Sequence, residues 1–325
     1  MATKNKKGWF EDFFSGLYAQ VLATTFTPEQ TARHVQTVRR LLRLRKGQCV
    51  LDIPCGHGRL TIPLARAGLR MTGVDLTSAY IRRARRLARD EGLDVRFLQA
   101  DMRTIGFDGE FDAAFNWFGS FGYFSDVDNL DLLRRLRRSL RPGGKLLLEG
   151  LNKTFVLSDF RTSLDESIGG IDIRHTPRFD PRTSRVLDTW TFRKGDRVER
   201  HRIALRLYSG PEIRRLLREA GFVDIEVYGL SPLRAATGSP NRRHRARCGR
   251  LTRASRRWIA VARRPVHEDS PAPGVPYTMK LADGRIVYVE LPKRMTGRDR
   301  GGALTFTPEG VRFLDRIRAQ SMRPA

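Results

Sequence analysis
The chain has 325 residues, 40% of them hydrophobic, enough for one domain of roughly 200–250 residues plus an appendage. Its apolar runs stay short of the ~18 residues that cross a membrane. Glu11 and Asp12 interrupt what would be the apolar part of a signal peptide, and Cys49, Cys55 and Cys248 are too scattered for a disulfide framework or a four-ligand zinc site. The abnormal number is a net charge of +26, nearly all of it arginine.

These exclusions predict a cytoplasmic protein with no metal and no membrane segment. From Gly47 onward, short apolar strands alternate with amphipathic helices. "QCVLDI" reads as a buried strand, Arg59–Ala67 as a helix, "LRMTGVDL" as a second strand and "SAYIRRARRLARDEG" as a helix. "DVRFLQAD" and "FDAAFNW" are the third and fourth strands. "NLDLLRRLRRSL" is a helix stopped by "RPGG", and "KLLLEGL" is the fifth strand. Such alternation predicts an α/β, doubly wound, Rossmann-like sheet of parallel strands with right-handed crossovers, which binds ligands at the carboxyl ends of its strands.

Asn152 to Leu207 changes rhythm, with runs of β-formers and a "KGD" turn at Lys194–Asp196; it predicts an antiparallel insert of two or three strands. "SGPEIRRLLREAGF" restores a helix, with Ser209 and Glu212 at capping-box spacing, Pro211 in the first turn and Gly221 at the stop. The strands "VDIEVYGL" and "RRWIAVARR" follow, on either side of an arginine-rich loop. Ser231 to Arg264 holds eleven arginines and no acid. That block suits RNA or another anionic partner. An arginine-biased chain with solvated helix faces would carry it too, since arginines also crowd Arg82–Arg89 and Arg134–Arg138. Past Arg264, a proline-rich linker leads to the hairpin "YTMKLADGRIVYVEL", turning at Asp283–Gly284, and to the helix "PEGVRFLDRIRAQ" capped by Thr307. The expected division is 1–45, 46–264 with the insert at about 153–207, and 265–325 as linker and small ββα-like appendage.

The chemistry centres on "LDIPCGHGRL", Leu51 to Leu60. A phosphate-binding P-loop needs Gly-Lys-Ser/Thr where this chain has Gly58-Arg59-Leu60, and the dinucleotide fingerprint needs a third glycine where it has Thr61. What remains is Asp52 at a strand end, then Gly56 and Gly58 opening a helix. The acid suits an ammonium; the glycines and helix N-terminus suit a carboxylate in close backbone contact. A ligand with both groups is an amino acid. The second strand ends with Asp75 and Leu76, where an acid suits ribose hydroxyls. The third ends in "QADM", where Asp101 can accept from an exocyclic amine and Met102 can press on a flat ring. Amino acid, ribose and adenine, in that order, describe S-adenosyl-L-methionine.

With those motifs in place, 47–264 resembles a class I S-adenosylmethionine-dependent methyltransferase. "VLDIPCGHGRL" is similar to the family's first motif, "GVDL" to its ribose-binding acid, "QADM" to its adenine contact and "FDAAFNWFGSFGYF" to its fourth-strand motif. The resemblance implies seven strands with the last antiparallel, Asn116 near the methionine end of the cofactor, and residues 1–45 lying over the cofactor as a helical lid, with Tyr18 reaching inward. It also implies that "NWFGSFGYF" faces the transferred methyl, so Trp117, Phe118 and Tyr123 line the acceptor pocket with Asn152. Methyltransferases acting on base amines often carry Asn/Asp-Pro-Pro-aromatic here, and this chain does not.

A catalytic base is unknown; the candidates are Tyr123, Glu149 and His201. Cys55 and His57 read as residues accommodated by the loop, with no third ligand for a metal. The leading expectation is methyl transfer to an amine or hydroxyl of a small molecule by a monomer or homodimer, with 153–207 as the far wall of the pocket. The alternatives are an RNA- or ribosome-directed methyltransferase gripping phosphates with Arg242–Arg257, and a cofactor-binding interaction protein without turnover.

Overall fold
The computed structural model describes residues 8–230, 248–252 and 254–266, with the shorter stretches 275–280, 286–291, 296–298, 304–308, 311–312 and 314. Three helices open the chain: α1 (Trp9–Phe13), α2 (Gly16–Thr24) and α3 (Pro28–Leu42). Thr27 starts α3, accepting from the Gln30 amide while the Gln30 side chain returns to the Thr27 N–H.

The alternating region follows as β1 (Cys49–Asp52), α4 (Thr61–Arg66), β2 (Arg70–Asp75), α5 (Ser78–Asp90), β3 (Val95–Gln99), β4 (Phe111–Asn116), α6 (Asp126–Ser139) and β5 (Leu140–Leu151). β1 pairs in parallel with β2 and β4, β2 with β3, and β4 with β5. Strands buried on both faces need apolar runs, which "VLD" in β1 and "LLL" in β5 provide; Val50, Leu51, Leu147 and Leu148 are all at 0% exposure. The "RPGG" segment follows the end of α6 at Ser139, as expected, but forms part of a strand instead of a loop. It lies inside β5 as an irregularity, with Phe111 opposite Leu140 and Ala113 opposite Lys145. Gly143, at φ 78°, absorbs the extra residues.

After β5 come α7 (Lys153–Ser158), β6 (Leu164–Ile168), β7 (Ile171–Asp180), β8 (Arg185–Lys194) and β9 (Arg197–Arg206). The insert is therefore a four-stranded antiparallel meander preceded by a short helix, larger than the two or three strands expected. Its last hairpin turns on Gly195 at φ 55°, between β8 and β9. The chain returns through α8 (Gly210–Glu219), started by the Ser209–Glu212 capping box, to β10 (Val223–Leu230), β11 (Cys248–Arg250) and β12 (Arg257–Arg263).

The main sheet runs β3-β2-β1-β4-β5-β12-β10-β11. β12 is antiparallel to both β5 and β10, so the first seven strands match the implied fold with one antiparallel strand. The eighth, β11, pairs with β10 from within the stretch expected as loop. Apolar clusters cover both faces of the sheet, one including Leu132, Leu136, Leu146 and Phe222, the other Val38, Leu64, Phe115 and Ile259. A third cluster joins Phe13, Leu17 and Val21 of the first helices to Ile171, Ile173 and Phe192 of the insert. The Leu17 amide donates to Glu199 at 2.8 Å and Lys194 Nζ to Gln20 at 2.8 Å, which fastens these helices to the meander.

Beyond residue 266, β13 (Val275–Lys280) pairs with β14 (Ile286–Leu291), the expected hairpin, and β15 (Thr296–Arg298) pairs with β16 (Leu304–Phe306). The Asp283–Gly284 turn, most of the expected final helix and residues 242–247 of the arginine-rich stretch lie outside the described residues. Among the described residues, no helix is long and apolar enough to cross a membrane.

Candidate functional site
The sheet order reverses between β1 and β4, the position where doubly wound sheets open a crevice at their carboxyl ends. A cleft of about 1010 Å³ lies there, lined on one side by the β1–α4 loop and the ends of β2 and β3 and on the other by aromatic residues. Asp52, Gly56, Asp75, Leu76, Asp101, Met102, Tyr18, Trp117, Phe118 and Tyr123 all line it. Gly58, Asn116, Glu149, Asn152 and His201 do not.

The loop is stitched to β2. Cys55 N donates to Val74 O at 2.9 Å and Gly56 N to Asp75 Oδ2 at 2.8 Å, while Asp75 Oδ1 accepts from Thr77 N at 2.8 Å. Burial raises the Asp75 carboxyl, and these backbone donors pull it back down. Asp52 is 2% exposed and accepts one short bond, 2.6 Å from Thr61 Oγ1. Burial pushes it up to about 8, against the pull of that hydroxyl and of Arg59.

Gly56 sits at φ 56° with nothing within 4 Å of where a Cβ would point, so its open side belongs to the cleft. Gly58, at φ 84°, instead faces Ile62 at 3.0 Å; its role is helix packing. Cys55 packs into the space over Gly73, and burial raises its thiol well above the ordinary value. His57 lines the cleft as a neutral ring, lowered to about 4 by burial and by Arg83 and Arg59.

Asp101 is gripped by its own neighbour, with Arg103 Nε and Nη2 at 3.0 and 2.6 Å from Oδ2. Arg103 also lies over Phe10 and Phe124. Asn116 is fully buried, its Nδ2 4.0 Å from the Met102 sulfur and its Oδ1 without a hydrogen-bond partner among the described residues.

The opposite wall comes from the segment after β4 and from the first helices. Phe118 and Gly119 both adopt left-handed backbone, φ 71° and 72°, which turns the chain directly after Trp117. A left-handed conformation is costly for a bulky residue. It is held by Glu149, only 1% exposed, which accepts from Gly119 N at 3.0 Å and from Arg257 Nη1 at 2.6 Å. Glu149 is thus a strut behind the wall, tying β5 and β12 to the turn. Asn152 is a strut as well, capping α7 through Thr154 N and donating to Ser255 O at 2.8 Å. His201 faces Phe13 and Phe192 in the insert cluster.

Tyr123 stands edge-on to Trp9 at 4.8 Å, with its hydroxyl 3.4 Å from Ser120 Oγ. Tyr18 lies against Phe13 at 4.4 Å. Burial raises both phenols, Tyr123 to about 12, so both are neutral hydrogen-bonding groups at ordinary pH. Contrary to expectation, the insert supplies no lining residue. The aromatic face of α1 and α2 comes between it and the cleft, so the meander packs behind these helices.

Sequence reasoning passed over Arg59, using it only to exclude a P-loop. It lines the cleft, bonds His34 Nδ1 at 3.0 Å and lies 4.0 Å over the Phe26 ring, and no acid comes within ion-pair distance among the described residues. Burial lowers it to about 10, still a cation at neutral pH, and lowers His34 to about 4, so a neutral imidazole accepts the bond. A half-buried cation without a paired anion is disfavoured, and Arg59 with Asp52 suits a ligand bearing both a carboxylate and an ammonium. The signal in the sequence was a charged residue at an otherwise apolar helix start.

Residues 50–144 match a methyltransferase domain family. A putative methyltransferase, YqeM, of Bacillus subtilis is 36% identical over 102 residues, covering 31% of this chain and 41% of that protein. A ubiquinone biosynthesis O-methyltransferase of Nitrosococcus oceani is 31% identical over 115 residues, covering 33% and 45%. The matches thus span less than half the length of these curated relatives. The solved CcbJ methyltransferase of Streptomyces caelestis overlays 80% of this chain and 99% of its own at TM-score 0.63 with 17% identity, a likeness of fold.

Proposed function
We propose, for a chain whose residues 50–144 place it in the class I S-adenosylmethionine-dependent methyltransferase family, methyl transfer to an amine or hydroxyl of a small molecule. The observation that carries the reading is the cleft itself: a charged wall fitted to the cofactor faces an aromatic wall, and helices α1 and α2 cover both.

The residues present fit S-adenosylmethionine. Gly56 leaves open the space a side chain would fill, Asp75 orders the loop through Gly56 N, Arg59 offers a cation to a carboxylate, and Asp52, protonated at neutral pH, would give up its proton beside an ammonium. When bound, the cofactor supplies an electrophilic methyl on a sulfonium. Asp52, Asp75, Asp101 and Met102 would hold it along the strand ends. Trp117, Phe118 and Phe14 exclude water from the facing space. Tyr18 and Tyr123, kept neutral by burial, orient the acceptor's nucleophilic atom by hydrogen bonds. Positioning of this kind supplies most of what an in-line displacement needs, and an acceptor arriving as a free amine needs no base. The N-terminal helices, braced by the insert, restrict the acceptor to something that fits beneath them. An O-methyltransferase of ubiquinone biosynthesis among the relatives supports a small acceptor.

The test is transfer of tritiated methyl from S-adenosylmethionine into a cell extract, fractionated into small molecules, RNA and protein. Label in the small-molecule fraction is expected. Label confined to RNA or protein would overturn the acceptor class, and none in any fraction would overturn turnover.

A further inference from the structure
A second groove lies on the outer face of the sheet's β3 edge, between α5 and β3. Its lining includes six arginines, Arg82, Arg83, Arg85, Arg86, Arg89 and Arg96, against one acid, Asp94. The buried side of α5 is Tyr80, Ile81, Ala84 and Ala88, and five of its seven exposed residues are arginines, the others being Ala79 and Asp90. Arg85 is fixed to the floor, donating to Phe97 O at 2.7 Å, and Arg96 reaches Glu110 at 3.2 Å. Arg82, Arg83, Arg86 and Arg89 are exposed and form no ion pair among the described residues. They repel one another at i,i+3 and i,i+4 spacing. The free protein therefore holds this helix against its own charge, and an anion in the groove would relieve the repulsion.

We propose that the α5–β3 groove binds the phosphate backbone of a nucleic-acid strand, in addition to the small-molecule chemistry of the cleft. Arg82, Arg86 and Arg89 form one stripe on the helix, spanning about 10 Å at 1.5 Å per residue. That length lets the stripe meet more than one phosphate of a strand. Guanidinium forks bind phosphate oxygens in bidentate fashion, which ammonium groups cannot. A lipid surface fits less well: stable interfacial binding also buries apolar side chains, and none of the exposed large hydrophobics lies in this groove. β3 and β11 are opposite edges of the sheet, so the groove lies at the edge away from β11. Phe97 in the groove is 4% exposed and does not offer a base a ring to stack on.

The test is fluorescence anisotropy of the full chain with labelled single-stranded RNA and DNA of about 20 nucleotides, between about 50 and 200 mM salt. Arg82→Gln/Arg86→Gln/Arg89→Gln is compared with Arg178→Gln/Arg200→Gln/Arg202→Gln, three exposed arginines of the insert that carry the same charge change. The wild type should bind both strands at micromolar affinity in low salt. The groove variant should bind at least tenfold more weakly, its slope of log affinity against log salt smaller by about 2, at about 0.7 per lost phosphate contact. The insert variant should keep most of the affinity. Absence of binding at low salt, equal losses in the two variants, or stronger binding to polyglutamate or anionic vesicles would overturn the proposal. Circular dichroism and cofactor titration of the groove variant separate this outcome from misfolding and from failure of the methyltransferase reading.

Discussion

Asp52, Asp75 and Asp101 stand at or just beyond the tips of three adjacent strands, whereas Tyr18, Trp117, Phe118 and Tyr123 reach the same cleft from two segments that meet only in the folded chain. The first wall is held by hydrogen bonds to two buried carboxyls: Gly56 N and Thr77 N on Asp75, Thr61 on Asp52. The second is held by ring packing and one strut, Glu149 with Arg257 behind the Phe118–Gly119 turn. A wall of the first kind is fitted to one ligand. A wall of the second kind keeps its shape while the rings that face the acceptor change. That division is how one cofactor site serves many acceptors on a single fold.

The sharpest way to break the comparison is at Asp75. Asp75→Ala removes the acceptor of two backbone amides and leaves both unpaired, so affinity for S-adenosylmethionine should fall about 100-fold. Unchanged affinity in a calorimetric titration would mean that the charged wall is not a cofactor wall. Glu149→Gln should cost about 2 kcal/mol of stability in urea unfolding, because it breaks a buried ion pair whose Arg257 end is partly solvated. It should leave the pH profile of kcat in place; a shifted profile would make Glu149 a catalytic base instead of a strut.

Smaller effects separate the two glycines. Gly56→Ala puts a methyl into open cleft space at φ 56° and should lower cofactor affinity about tenfold, with only about 1 kcal/mol of stability lost to the left-handed backbone. Gly58→Ala meets Ile62, so its cost should appear in stability first. Reversal of these two patterns would exchange the roles assigned to the loop. Tyr123→Phe, on the aromatic wall, should slow turnover by three- to tenfold, about one hydrogen bond, without changing cofactor affinity.

The charged wall was legible in the sequence because a glycine loop and strand-end acids have fixed spacing along parallel strands, and Asp52, Gly56, Asp75 and Asp101 follow that spacing. The individual strands were legible too, as apolar runs such as those of β1 and β5, whereas the count of seven with the last antiparallel came from the resemblance, and the eighth strand, β11, was missed. The aromatic wall was less so. Trp9, Phe10 and Phe14 look alike as helix-face residues, and only the packing of α1 and α2 against the meander decides which ring faces the cleft. The insert's place behind the lid, Arg59's lack of a paired acid and the strut role of Glu149 all depend on contacts between distant segments, which local pattern does not carry.

The central claim is that Asp52 and its neighbours receive the amino-acid end of the cofactor, and Asp52's titration tests it most directly. Its folded value, about 8, lies above the ordinary carboxylate range, so its contribution to stability is complete below about pH 4 and is lost as pH rises through about 8. At pH 7 the carboxyl therefore holds its proton, and an ammonium brought beside it would expel that proton. Calorimetric titration with S-adenosylmethionine at pH 7, in two buffers of different ionisation enthalpy, should show one site with close to one proton released. The release should disappear above about pH 9 and in Asp52→Asn. Binding without proton release would contradict Asp52's place at the ammonium, and no binding in either buffer would contradict the account as a whole.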